Sequence, residues 1–199
     1  MPLAIFDDDE ARMRSDEEWV AAALKDMSAF AHLYGRYYLP IYQYCRLRLQ
    51  SAQETEDATN ETFERAMRSL AGFRGGSFRS WLFSIAANHV RNTARDRRPM
   101  LPLPSGPESP DLDPMISPEE AALARERAQV MQDGLAPLPE GQRRVVELRL
   151  VGLSAPDIAD VFGMSVSAVK VAQWRAFKRL RDLLDGEDKV AGSTETTDV

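Results

Sequence analysis

Seven of the twelve prolines in this 199-residue chain lie within twenty consecutive positions: Pro99, Pro102, Pro104, Pro107, Pro110, Pro114 and Pro118. Each lacks a backbone N–H, and its ring clashes with the preceding helical turn. None fits the interior of a sheet. The stretch is therefore neither helix nor central strand. It carries Glu108, Asp111 and Asp113 and no base, which describes an extended acidic linker. It ends at Ser117-Pro118-Glu119-Glu120, with serine at the N-cap, proline at the first helical position and glutamate at the third, a strong helix start. The chain must fold as two bodies, one on each side.

Both bodies read as helical. Ser15 with Glu18 makes a capping box for a short first helix. Phe30, Leu33, Tyr34, Tyr37, Ile41 and Tyr44 then recur at helical spacing as an apolar stripe, closed by Leu47 and Leu49. Ser51 opens a helix running to about Ala71, with Gly72 behind it. Its stripe includes Ala58, Thr62, Phe63, Ala66 and Leu70. Phe73-Arg74-Gly75-Gly76-Ser77 is a loop, and Ser77 caps the next helix. No alternating, β-branched strand pattern occurs. The expected fold is all-α, in two small helical domains. Residues 1–14 are an acidic disordered N-terminus, 15–98 the first domain, 99–117 the linker, 118–185 the second domain and 186–199 a disordered tail.

Several function classes drop out. Cys45 is the single cysteine, so there is no disulfide framework or Cys-rich zinc site. His32 and His89 are the two histidines and make no metal or catalytic set. Paired carboxylates such as Glu56 and Asp57 are adjacent rather than opposed, and no phosphate-cradling glycine loop appears. The start MPLAIFDDDE lacks the basic region of a signal peptide. No apolar run is long enough to span a membrane. No cofactor, metal or catalytic residue is expected.

The formal charge of −6 taken alone argues against nucleic acid. Its distribution argues the opposite. From Arg65 to Arg98 there are eight bases and one acid, Asp96. From Val161 to Arg181 there are five bases and no acid. The first 26 residues, the linker and the last 15 residues hold the acidic excess.

In the first basic block, Leu82, Ile85, Ala86 and Val90 form an inward stripe. Asn88, Arg91, Asn92 and Arg95 share the opposite face, and Arg97 and Arg98 extend it. Arginine forks donate to phosphates and base edges, and asparagine pairs with adenine edges. Arg74, Gly75, Gly76 and Ser77, with Phe73, Phe78 and Trp81, make an aromatic-lined loop before that face. Such a loop suits unstacked bases, although Phe78 and Trp81 are equally natural as core.

The second basic block fits a helix-turn-helix from Ala155 to Trp174. Ala159 stands where only a small residue lets two helices cross. Gly163 stands where the turn needs positive φ, and Val169 stands in the hinge core. Ile158, Phe162 and Met164 are apolar where the helices meet. Ser165 caps the second helix. That helix presents Ser167, Lys170, Val171, Trp174, Arg175 and Lys178 outward, as a recognition helix does in the major groove. Trp174 gives apolar contact with a sugar or thymine methyl. Arg179 and Arg181 suit phosphates, and Leu180, Leu183 and Leu184 suit the core.

This order of parts resembles a bacterial RNA polymerase sigma factor of the extracytoplasmic-function (ECF) group, in the sigma-70 family, over about residues 25–98 and 120–184. Glu56-Asp57-Ala58-Thr59-Asn60-Glu61-Thr62-Phe63 is similar to the family's region 2.2, which docks on the β′ clamp helices of core polymerase. Glu56, Asp57, Asn60, Glu61 and Phe63 are thereby implied as polymerase contacts, with Asn60 replacing the usual glutamine. Phe73 to Phe78 with Trp81, Leu82 and Asn88 is similar to regions 2.3–2.4, which hold a flipped base of the −10 element. Leu138-Pro139 through Leu184 is similar to region 4, which reads the −35 element. Ser167 to Phe177 replaces the commoner Gly-Thr-Val-Lys-Ser-Arg-Leu-His-Arg-Ala-Arg, matching at Val169, Lys170, Arg175 and Ala176.

The resemblance implies core RNA polymerase (β′ clamp helices and β flap) and promoter DNA as partners. It also implies an anti-sigma factor, often membrane-anchored, and a cytoplasmic location, at the nucleoid when active. It implies a linker that threads toward the polymerase active centre and RNA exit channel. A plain helix-turn-helix repressor or activator would account for residues 154–184. It would not account for the acid-rich helix or the Gly-Gly aromatic loop.

Overall fold

Ser15 starts the first helix as its sequence demands. Its hydroxyl accepts from the Glu18 amide at 3.3 Å, and its own amide donates to the Glu18 carboxylate at 2.8 Å. The computed structural model describes residues 14–49, 51–96 and 118–191. Among them the elements are helices α1 (Asp16–Ala23), α2 (Phe30–Arg48), α3 (Ala52–Ser69), α4 (Phe78–Asp96), α5 (Pro118–Leu135), α6 (Glu140–Leu150), α7 (Ala155–Phe162) and α8 (Val166–Ala191), with short 3-10 turns at Met27–Ala29 and Leu70–Gly72. The described residues contain no strand. The chain divides into two compact units, Met1–Gly106 and Pro107–Val199.

In the first unit α1 is pinned to α2 at its N-terminal end. The Asp16 carboxylate accepts from Arg36 Nη1 at 2.6 Å and from the Tyr37 hydroxyl, and Arg36 Nη2 donates to the Arg14 carbonyl at 2.9 Å. Trp19 stacks on His32 with ring centres 3.7 Å apart. Helix α2 continues through Pro40, which removes one internal hydrogen bond but leaves the helix intact to Arg48.

Most of the expected α2 stripe is buried, namely Phe30, Leu33, Tyr37, Ile41 and Tyr44; Tyr34 lies at its edge and is exposed. Helix α3 opens on a second capping box, Ser51 with Glu54. It buries Ala58, Thr62, Phe63 and Ala66, as its periodicity predicts, together with Thr55 and Thr59. The three threonine hydroxyls donate to carbonyls four residues earlier, at 2.8, 2.7 and 2.7 Å. Their polar groups are thereby satisfied inside the core. From α4, Leu82, Ala86 and Val90 are buried, and so is Phe83, which lies one position off the expected stripe.

In the second unit Leu135, Leu138, Val146 and Ala176 form a cluster with Leu180 packed against it. Leu183, expected in the core, is exposed; Leu184 lies outside the described side chains. Helix α8 also runs on to Ala191, so residues 186–191 are helical rather than part of a disordered tail. One glycine, Gly186, weakens a helix by about 1 kcal/mol without breaking it, and no proline follows. The acidic N-terminus up to residue 13, the linker with the Ser117 cap, Arg97 and Arg98, and residues 192–199 lie outside the described residues. Among the described residues no helix is long and apolar enough to cross a membrane.

Candidate nucleic-acid interface

Three surfaces carry the residues singled out in the sequence. The first is the outer side of α3. Asp57 and Asn60 are exposed, and Glu56 and Glu61 are half-buried. Asp57 accepts from Gln53 Nε2 at 3.0 Å. Glu61 accepts from Arg65 Nε at 2.5 Å, and the next turn repeats the pattern with Glu64 and Arg68. The Arg65 guanidinium holds the Glu61 carboxyl below the usual carboxylate range, so this face stays anionic under ordinary conditions.

Phe63 does not join that face. It is 3% exposed and packs between Tyr34 and Tyr38, with ring centres 4.6 and 6.5 Å away. Its place in the stripe of Ala58, Thr62 and Ala66 already pointed inward, and it supports the acidic face from beneath. Glu64, one turn after Asn60 and Glu61, extends the face and was not singled out.

The second surface is built by the loop before α4 and the outer side of α4. Gly75 and Gly76 have φ of 88° and 86°, a region L side chains avoid. An added Cβ would meet nothing within 4 Å at either, so the requirement is purely conformational. Ser77 caps α4 by accepting from the Ser80 amide at 3.1 Å.

Phe73, Phe78 and Trp81 form a triangle with ring centres 5.3 to 5.9 Å apart. Phe78 is its floor, 1% exposed. It is core, and it cannot stack on a base without the structure opening. Phe73 and Trp81 are half-buried at the rim. Arg74 is exposed beside them, as are Asn88, Arg91 and Asn92 along α4. Arg91 Nη2 donates to Asn88 Oδ1 at 3.0 Å, which holds both on one face. The Arg95 side chain lies outside the described residues. His89 lies half-buried on α4, and its own burial and nearby Arg65 favour the neutral ring.

The third surface is the outer side of α8. Helix α7 begins at Ser154, whose amide donates to the Asp157 carboxylate at 3.0 Å while its hydroxyl accepts from the Asp157 amide at 3.2 Å. Ile158 and Ala159 are buried under the crossing. Gly163 ends α7 in the left-handed region, φ 62°. Arg144 from α6 lies over the Phe162 ring at 4.4 Å and reaches Met164 Sδ at 4.0 Å, closing the back of the turn. Ser165 then caps α8 by accepting from the Ala168 amide at 3.2 Å, and Val169 is fully buried.

With that side fixed inward, Ser165, Ser167, Lys170, Val171, Trp174, Arg175, Lys178 and Arg179 are all exposed. Trp174 is 63% and Val171 46% exposed, unusual for side chains of this kind. Lys178 Nζ lies 5.7 Å from the Trp174 ring centre. Phe177, which was not singled out, is exposed as well. The first unit thus carries an anionic face and a separate cation-bearing face with an aromatic rim, and the second unit carries a cation-bearing face with Trp174 and Phe177 exposed on it.

Comparison with known proteins follows the same division. The family model described as Sigma-70 region 2 matches residues 33–99, and that described as Sigma-70, region 4 matches residues 128–180. The chain is 34% identical over 181 residues to the ECF RNA polymerase sigma factor BldN of Streptomyces coelicolor, covering 89% of this chain and 68% of the relative. It is 34% identical over 192 residues to the ECF RNA polymerase sigma factor ShbA of Streptomyces griseus, covering 87% of this chain and 100% of the relative. Among solved structures it is similar to CnrH in complex with the cytosolic domain of CnrY, with a TM-score of 0.68 and 29% identity over 86% of this chain and 97% of that one; CnrH comes from Cupriavidus metallidurans.

Proposed function

The chain belongs to the ECF group of the sigma-70 family as a transcription initiation factor, and from that premise we propose a division of labour among its three surfaces. The acidic face of α3, with Glu56, Asp57, Asn60 and Glu61, binds the clamp of core RNA polymerase. The Arg74-to-Ser77 loop, the Phe73 and Trp81 rim and the Asn88, Arg91, Asn92 face capture the −10 element. The outer side of α8 enters the −35 major groove.

The observation that carries this is the order of the parts in one chain. An anionic helix face comes first, then a Gly-Gly aromatic loop with an Asn/Arg helix, then a helix-turn-helix whose outward side is cationic. A repressor needs only the last of these.

Melting follows from binding energy. Unstacking a base costs a few kcal/mol, which contacts at the rim and the arginine face offset once the base is out. The chain acts as a binding subunit in the cytoplasm, and polymerisation belongs to the core enzyme. An anti-sigma factor covers these same faces until a signal releases it; that CnrH, to which this chain is similar, was solved in complex with the cytosolic domain of CnrY supports a bound partner of this kind.

The test is a pull-down of core polymerase with the full chain, beside a gel shift on promoter duplex without polymerase. Polymerase capture with weak duplex binding alone is expected. Tight duplex binding without polymerase capture would make the chain a repressor or activator instead.

A further inference from the structure

On the outer side of α8 the groove-facing centre is apolar. Val171 and Trp174 are both strongly exposed, and both stand where the family pattern quoted above has polar residues, serine and histidine. Around them Lys170, Arg175, Lys178 and Arg179 are exposed, and no acid occurs from Val161 to Arg181. An apolar spot ringed by cations is matched by a phosphate-walled groove with an apolar floor. In the major groove the apolar group on a base edge is the C5-methyl of thymine.

The spacing agrees. Three residues of helix rise about 4.5 Å, close to the roughly 3.4 Å step between base pairs. The Lys178 ammonium, 5.7 Å from the Trp174 ring centre, is attracted to the ring face. That attraction biases the indole along the helix. Ser167, one turn before Val171, is short and lets the start of α8 approach closely.

We propose that Val171 and Trp174 read the methyl groups of two successive thymines in the −35 element, making a thymine–thymine step a specificity determinant of this chain. This rests on the promoter-reading role of α8 proposed above.

The experiment uses holoenzyme reconstituted from the full chain and core polymerase. Promoters are first selected by run-off transcription from a library randomised in the −35 region. In the selected promoters each −35 thymine is then replaced by deoxyuridine, which removes only the methyl.

A fixed thymine–thymine step is expected, with transcription falling about fourfold per methyl removed. With Trp174→Ala holoenzyme, thymine and deoxyuridine templates are expected to differ much less at one position of the step. Because Trp174 is exposed, that variant keeps the fold. Equal transcription of thymine and deoxyuridine templates by the wild-type holoenzyme would overturn the inference while leaving the promoter-reading role standing. So would an unchanged thymine preference in Trp174→Ala. If Trp174→Ala instead loses only its capture by a regulatory protein, the patch serves that partner and the inference fails. No transcription from any template would overturn both it and the function on which it rests.

Discussion

Arg91 donates its guanidinium Nη2 to the side-chain oxygen of Asn88 at 3.0 Å, one turn away on the exposed side of α4. The bond aligns a fork of donors with an amide on one surface, and neither group is needed by the core. Arg91→Ala should therefore weaken holoenzyme binding to promoter DNA by about 1–3 kcal/mol. Thermal stability should stay within about 0.5 kcal/mol of wild type. Promoter affinity and melting of the free chain, measured side by side, check this.

The face of α3 should behave in the same separable way. The Glu61–Arg65 pair lies at the surface, with Glu61 only half-buried, and is i,i+4, so its loss changes stability by only a few tenths of a kcal/mol. Glu61→Lys places a cation on the anionic face, and affinity for core polymerase should fall by tenfold or more, about 1.4 kcal/mol. Titration of labelled chain with core enzyme measures it. Unchanged affinity would remove α3 from the polymerase contact.

Gly163 turns the chain between α7 and α8 at φ 62° with open space around its Cα. Alanine there has room but not the conformation. Gly163→Ala should destabilise the second unit by about 1–2 kcal/mol, and Gly163→Asn by less. Thermal or denaturant unfolding of the full chain followed by a probe in that unit distinguishes the two.

Cys45 gives a pH-dependent signature. Burial pushes its thiol from the ordinary 9.0 up to about 12, partly opposed by the Thr59 hydroxyl. Above pH 9 the unfolded chain loses this proton while the folded chain keeps it. The thiol's contribution is full below pH 9 and falls as pH rises toward 12, by up to about 1.4 kcal/mol per unit. Cys45→Ala, less stable at neutral pH through the cavity it leaves, should close its gap to wild type across that window. Parallel pH profiles would contradict this.

What the sequence made legible was mostly local. Ser15 with Glu18, Ser51 with Glu54, and Ser154 each announce a helix start through a bond made within four residues. Ala159 and Gly163 mark the helix crossing and turn by steric demands of their own. The outward residues of α8 were readable because Val169 fixes the opposite side.

Tertiary choices were not local. Phe63 and Phe78 sit beside functional residues in sequence; the stripe of Ala58, Thr62 and Ala66 already turned Phe63 inward, but for Phe78 the packing against Tyr37, Phe73 and Trp81 decides that it is floor rather than surface. The Asp16 bridge to Arg36 and Tyr37 spans about twenty residues and has no sequence signature. Leu183 lies on the helical spacing of its neighbours, yet the cluster of Leu135, Leu138, Val146 and Ala176 takes in Leu180 and not Leu183, which remains exposed. The tail expected from residue 186 is rich in Gly, Ser, Thr and acids, yet one glycine does not end a helix by itself, and α8 passes through Gly186 to Ala191.

Run-off transcription by core polymerase with and without the full chain, on fragmented genomic DNA, shows whether the chain directs initiation. Discrete transcripts are predicted with the chain present and none without it, with starts sharing a −10 and a −35 sequence, and their yield should drop with both Arg91→Ala and Lys170→Ala. Identical transcripts with and without the chain would mean that it does not direct polymerase to promoters.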